Sequence, residues 1–349
     1  MSPYLSRKIK VLSFLSIVVV LYIHTSYAPE ELPATNLFIQ RSIAGVWGRI
    51  AVPMFFCISG FLFFQRVDSL SDVLVKLKKR IRTVFIPYVI AAGVYVLFFA
   101  IMKSIPGISR FQNESLFKDF DFTVLGLFKN TFLSSKELFS GEPWAYHLWF
   151  LRDLLLILAT TPLIFLAFKK GSLFLMAATS MALYFVFGVE WFSSLFWFYL
   201  GYPLFNSLEK NTFIGKGFVI IALWCVFAAL SITDIFMSVY PKPLYYYVDI
   251  VTALTGVAVV WLTYNVLIKN KERTKALPDY MSYTFFVYLY HAPAVTILHK
   301  LYVFLFGANM IGYGMGYIFT PPLLYTILYV IGRFLKSRWK FYSVITGGR

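Results

Sequence analysis

The chain has little of what a water-soluble protein relies on. Of its 349 residues only 16 are acidic, and charged residues make up 14%. Soluble domains carry about 25% charged residues, so an ordinary soluble domain is excluded. There are two cysteines, Cys57 and Cys225. Both sit inside apolar runs with no metal-type spacing, which argues against a disulfide framework and a zinc site. No metal is expected.

What is present is hydrophobic: 59% apolar residues, 20% aromatic, and a mean hydropathy of +0.72. This is the composition of a multi-spanning membrane protein. The net charge of +16 would fit nucleic-acid binding. The basic residues, however, fall in short clusters between apolar runs, the pattern of cytoplasmic membrane loops. No nucleic-acid partner is expected, and the lipid bilayer is. The first apolar run has a basic flank, but "TSYAPEE" puts proline just after the only small-residue cleavage candidate. It reads as a retained span.

A span needs about 20 apolar residues. About ten such runs occur, near 9–28, 49–66, 82–103, 147–168, 171–189, 191–207, 213–236, 246–268, 282–305 and 313–335. With the N-terminus (Arg7, Lys8, Lys10) taken as cytoplasmic, the basic segments alternate to the same side. They are "RVDSLSDVLVKLKKRIR", "KK" at 169–170, "LEKNTFIGK", "KNKERTK" and the tail "RFLKSRWKFYSVITGGR". The expected fold is therefore all-α and polytopic, with about ten transmembrane helices and both termini cytoplasmic. Residues 1–349 read as one transmembrane domain with an extracytoplasmic loop at about 104–146. That loop offsets its basic residues with Glu114, Asp119, Asp121, Glu137 and Glu142, and its "FTVLGLFKNTFLSS" suits an interfacial helix. The segment 69–81 alternates apolar and basic residues, as expected of a stretch lying on the anionic inner leaflet.

Polar residues inside these runs carry the chemical information. His24 follows Lys10 by about 21 Å of helix, near the outer face. The same topology sends Arg49, His147, Arg152 and Asp153 to the outer third, and His291 nearer mid-depth. Each has a structural reading and a functional one. Arg152 and Asp153 suit an interfacial pair holding a helix end. His147 suits an aromatic belt with Trp144, Tyr146 and Trp149. His24 suits either a hydrogen-bonded packing residue or a general base, since imidazole titrates near neutrality. A base needs an orienting partner, for which Asp153 and Glu190 are candidates. His299 is given no role. On the inner side, Lys76, Lys78, Lys79, Arg80 and Arg82 read either as a positive-inside anchor or as a phosphate site.

Six stretches in order carry a resemblance: "VVVLYIHTSY", "VPMFFCISGFLFF", "KKRIRTVFIPY", "HLWFLRDLLLILATTPLI", "FWFYLGYPL" and "SYTFFVYLYHAPAV". Over residues 10–295 the chain resembles the bacterial integral-membrane acyltransferase-3 family. The resemblance implies O-acylation, acetylation foremost, of an extracytoplasmic glycan such as a surface polysaccharide, with acyl-CoA as donor, in the bacterial cytoplasmic membrane. It implies a catalytic role for His24 and donor binding around Lys79, Arg80 and Arg82. The family's basic residue eleven positions before the histidine is Ser13 here, with Lys10 the nearest substitute. Its second arginine is Thr83, with Arg82 near it. In such a mechanism His147, Arg152 and Asp153 would join His24. Arg49, Trp144, Trp149 and His291 would meet the sugar. The alternative is an exporter of a glycan or lipid-linked sugar, with no acyl-transfer chemistry.

Overall fold

In a computed structural model, residues 1–105, 123–132, 143–168, 172–210, 217–236, 242–268 and 276–348 are described. Among them no strand occurs. The helices are α1 (Pro3–His24), α2 (Ala34–Gln40), α3 (Val46–Phe64), α4 (Leu70–Arg80), α5 (Ile86–Ser104), α6 (Val124–Phe132) and α7 (Trp149–Phe168). They continue with α8 (Leu173–Phe187), α9 (Glu190–Lys210), α10 (Gly217–Phe236), α11 (Lys242–Leu267), α12 (Thr284–Phe306), α13 (Met310–Arg338) and α14 (Tyr342–Ile345).

Among the described residues, each of the ten apolar runs overlaps a helix. Among the described residues, six helical stretches are long and apolar enough to cross a membrane: Ala34–Phe64, Leu70–Met102, Tyr146–Ala167, Tyr247–Leu267, Asp279–Phe306 and Met310–Arg338. The chain is an all-α, multi-pass membrane protein. The first two of these stretches extend more than ten residues before their apolar runs, because each joins two helices through a π turn. A π-helical turn at Arg41–Gly45 joins α2 to α3, and another at Ile81–Phe85 joins α4 to α5. Pro87 opens α5 without a backbone N–H, and the π turn before it absorbs the mismatch without breaking the helix. The basic segment 70–80 is thus continuous with its span. Its start is set by "DSLSD": Ser69 Oγ accepts from the Asp72 N–H at 3.2 Å, and the Asp72 carboxylate accepts from the Ser69 N–H at 2.9 Å.

The chain divides into two compact units, residues 1–65 with 197–330, and residues 66–196 with 331–349. In the first, α1 packs on α3 and α12, and α11 packs on α3 and α10. The backbones of α3 and α9 approach closely. A Cβ added at Gly60 would overlap the Phe198 carbonyl, and one at Gly201 would overlap the backbone of Cys57. Small residues permit such crossings in lipid, where dispersion has to do much of the packing. The "FFCISG" stretch is helix interior, and its glycine serves this crossing. In the second unit α7 packs along α4 and the turn at Ile81–Phe85, and α14 packs on α5.

Of the loop expected at 104–146, residues 106–122 and 133–142, with Glu114, Asp119, Asp121, Glu137 and Glu142, lie outside the described residues. So do Lys169 and Lys170. The interfacial helix expected at "FTVLGLFKNTFLSS" corresponds to α6, which packs back on the opening turn of α5. Phe132 stacks on Phe85 at 5.9 Å and meets Tyr88 at 5.5 Å, and the Tyr88 hydroxyl donates to the Thr131 carbonyl.

Candidate active site

His24 lies in the last turn of α1, half-buried. The turn is tied off by hydroxyls: Thr25 Oγ1 donates to the Leu21 and Tyr22 carbonyls at 3.0 and 3.1 Å, and Ser26 Oγ to Tyr22 at 3.2 Å. The chain beyond is clamped to α2 by one amide side chain. Gln40 accepts from the Tyr27 N–H and donates to the Tyr27 carbonyl, each at 2.9 Å. The exit from α1 is therefore held by side-chain hydrogen bonds of Thr25, Ser26 and Gln40.

Against His24 the fold sets His291 of α12, with ring centroids 5.0 Å apart and an interplanar angle of 42°. The sequence reading put these histidines at different depths; the structure makes them neighbours. His291 is fully buried, and its Nδ1 lies 2.8 Å from the carbonyl of Tyr288, one turn earlier. Pro293 follows two residues later inside the helix. It offers no N–H to the preceding turn and loosens the stretch where His291 folds back on its own backbone. His299 sits further along α12, edge-on to Tyr27 at 5.0 Å, and its carbonyl accepts from the Tyr27 hydroxyl.

The other end of α1 carries a charge network absent from the sequence reading. Lys10, taken as the donor-site substitute, is exposed. Lys8 is the buried lysine: its Nζ donates to Glu209 Oε1 at 2.5 Å and Asn265 Oδ1 at 2.9 Å, and lies 3.9 Å over the Trp261 ring. Glu209 also accepts from the Trp261 indole at 2.9 Å, and Tyr4 donates to Asn265 at 2.6 Å. Charge, hydrogen bonds and a cation–π contact together make burial of the ammonium tolerable. Arg49 pairs with Asp249 at 3.0 Å, again a partner not anticipated. An acid inside the apolar run "YYYVDIVTAL" was the available signal, because such a charge requires a partner.

In the second unit Arg152 and Asp153 are both buried. The guanidinium donates from Nε and Nη2 to Asp153 Oδ1 at 2.9 and 2.7 Å, and Ser194 Oγ donates to Asp153 Oδ2 at 3.1 Å. The pair also interacts electrostatically with Tyr88. It therefore lies near Tyr88, in the first turn of α5. His147 is buried, 5.0 Å from the Tyr95 ring, with Trp144 edge-on to Tyr95 at 5.3 Å and to Phe99 at 5.9 Å. Trp149 opens α7, half-buried. The belt expected around His147 is a packed aromatic cluster.

Lys79 and Arg82 are exposed and Arg80 is half-buried, on successive turns at the α4–α5 junction. The tail, which the sequence reading used only to set orientation, adds further residues. Lys336, Trp339, Lys340, Tyr342, Ser343 and Gly348 line a cleft. Gly347, at a positive φ of 63°, lets the tail lie against Thr83, whose backbone a Cβ there would strike. A nucleotide diphosphate suits this chemistry of exposed lysines and arginines beside an indole. Among the described residues, no group of three or more His, Cys, Asp or Glu is arranged to hold a metal.

Residues 7–335 match the model of the acyltransferase-3 family, described as an acyltransferase domain. The chain belongs to that family. It is also 27% identical over 179 residues to the succinoglycan biosynthesis protein ExoH of Rhizobium meliloti (strain 1021). That match covers 49% of this chain and 45% of the relative, less than half of the relative's length. No solved structure matches the chain.

Proposed function

We propose that this family member transfers an acyl group, acetyl foremost, from cytoplasmic acyl-CoA to a hydroxyl of an extracytoplasmic carbohydrate such as a surface polysaccharide. The observation that carries the reading is the family match over residues 7–335, with His24 held in the last turn of α1. The relative named for succinoglycan biosynthesis supports a glycan acceptor. The proposal includes ten spans with both termini cytoplasmic, one domain over residues 1–349, and residence in a bacterial cytoplasmic membrane.

Each step balances. A lone pair on His24 takes the proton of the sugar hydroxyl, the oxygen attacks the thioester carbonyl, and the C–O bond forms as the C–S bond breaks. The proton then passes from the imidazolium to the departing thiolate. Lys79, Arg80 and Arg82 hold the donor's phosphates, with Lys336, Lys340 and Trp339 adding charge and a stacking face. Arg49, already charge-paired on the half-exposed Asp249, is the guanidinium we assign to the acceptor. Arg152 and Asp153 neutralise each other, and we assign them to packing along with His147 and Trp144. Trp149 remains the aromatic candidate for a sugar face.

Titration calorimetry of acetyl-CoA into the purified protein tests the donor half. Wild type binds and the Arg80→Ala, Arg82→Ala double variant, still folded, does not. Failure of folded wild type to bind acetyl-CoA or succinyl-CoA would favour export of a glycan without chemistry.

A further inference from the structure

The tail cleft is lined by residues between 336 and 348, beyond the stretch that matches the family, so family membership assigns it nothing. Its order comes from how the chain folds back after α13. Tyr342 and Thr346 are buried, and Thr346 Oγ1 donates to the Tyr342 carbonyl at 2.8 Å, which closes α14. Gly347 and Gly348 then take positive φ of 63° and 79°, and the Gly348 N–H donates to the Ser343 carbonyl at 2.6 Å. The tail is thereby fixed against the backbone of Thr83, the residue after Arg82. Lys336, Trp339 and Lys340 are left exposed around a cleft of about 480 Å³. Small-molecule sites are of that size, roughly 300–1,000 Å³. An interfacial anchor accounts for an exposed indole with basic neighbours. It does not call for a cleft, nor for one held against the turn that carries Arg82.

We infer that this cleft binds the 3′-phosphoadenosine end of the donor and makes the protein select donors that carry the 3′-phosphate. The inference rests on the acyl-CoA reading above and divides the donor between two sets of residues. Coenzyme A presents two kinds of phosphate. Its pyrophosphate spreads charge along a chain, which suits the planar forks of Arg80 and Arg82. Its ribose carries a separate phosphomonoester, with close to two charges on one phosphorus, next to the adenine. A compact ammonium suits that concentrated charge, so Lys336 and Lys340 take the 3′-phosphate. Trp339 stacks on the adenine. Base and monoester share one ribose, so a single cleft lined by an indole and two lysines reads both. The contact of Gly347 with Thr83 brings the tail to the arginine cluster, and one donor molecule spans the two. A lipid phosphate of the inner leaflet would meet the same cations, but a lipid has no purine for the indole.

Calorimetry with acetyl-CoA and acetyl-3′-dephospho-CoA on the purified full chain, in lipid-free detergent at low salt, tests this. Wild type should bind acetyl-CoA about 10-fold or more tighter than the dephospho form, the worth of one charge-assisted contact. The Lys336→Gln, Lys340→Gln variant should bind both donors alike, at the wild-type affinity for the dephospho form. Trp339→Ala should weaken both donors about 10-fold and keep their ratio, as the loss of a base stack does. These side chains are exposed, so both variants should elute as wild type in size exclusion. A preference for acetyl-CoA that survives the lysine substitutions overturns the inference. So does wild type that binds both donors equally, and so does wild-type affinity for both in Trp339→Ala. Variants that bind both donors as wild type but lose thermal stabilisation by added short-chain phosphatidylglycerol mark a lipid-headgroup site, which overturns it as well. Wild type that binds neither donor is a different failure, because it removes acyl-CoA itself.

Discussion

Replacing Lys8 with methionine should destabilise the protein well beyond the effect of an ordinary surface charge. The stem volume is kept, but Glu209 loses its 2.5 Å ion-pair partner and Asn265 a 2.9 Å donor. Removing one member of a buried pair costs about 3–5 kcal/mol, mainly because the other charge is stranded. Glu209 retains the Trp261 indole, and its side chain is 24% exposed, which calls for the lower end, about 3 kcal/mol. At about 2 °C per kcal/mol for a long chain, the melting temperature should fall by about 6 °C. Intrinsic tryptophan fluorescence on heating in detergent reads this directly. The double variant Lys8→Met, Glu209→Gln should regain most of the loss, since a neutral amide still accepts from Trp261; the coupling energy should be at least about 2 kcal/mol. A Lys8→Met protein melting within about 1 °C of wild type, well inside the shift expected from a stranded charge, would refute the reasoning. Additive losses in the double variant would refute it equally.

Gly60→Ala or Gly201→Ala should deplete folded protein in size-exclusion profiles, because the new Cβ meets the partner helix's backbone, while Gly93→Ala, with nothing within 4 Å, should behave as wild type. Ser194→Ala should cost about 1.5–3 kcal/mol by thermal melting, the usual range for a bond to a charged group. Arg152→Met should cost more, about 3–5 kcal/mol, by leaving Asp153 buried without its cation. Arg49→Ala should lower the melting midpoint, since the arginine side chain is 16% exposed and its loss strands Asp249 within an apolar run. Arg49→Lys keeps the cation, and a raised acceptor KM in that variant would support its place at the sugar.

The helices were legible because each span is a long, predominantly apolar run, and lipid leaves the backbone few alternatives to a helix. His24 was legible for the opposite reason, as a polar residue at the end of such a run. What sequence did not reveal depends on contacts between distant segments. Lys8 and Lys10 look equivalent along the chain. Only Glu209, Asn265 and Trp261, some two hundred residues on, make Lys8 the buried one. Likewise His291 was visible, but not its pairing with His24, because depth was counted from helix ends that the fold does not align. The continuity of α4 with α5 was hidden by charge: a hydropathy window stops at Arg82, whereas a backbone that relieves Pro87 through a π turn does not. Asp249 could have been found, since a carboxylate in an apolar run calls for a cation and Arg49 was already in view.

The most direct measurement is transfer of labelled acetyl from acetyl-CoA to the envelope glycan fraction by membranes containing the protein, comparing wild type with His24→Ala at equal folded amounts. The proposed mechanism predicts label on the glycan with wild type and a loss of about 100-fold or more with the variant. Equal labelling by the two proteins, or glycan that crosses the membrane unlabelled with wild type, would contradict it.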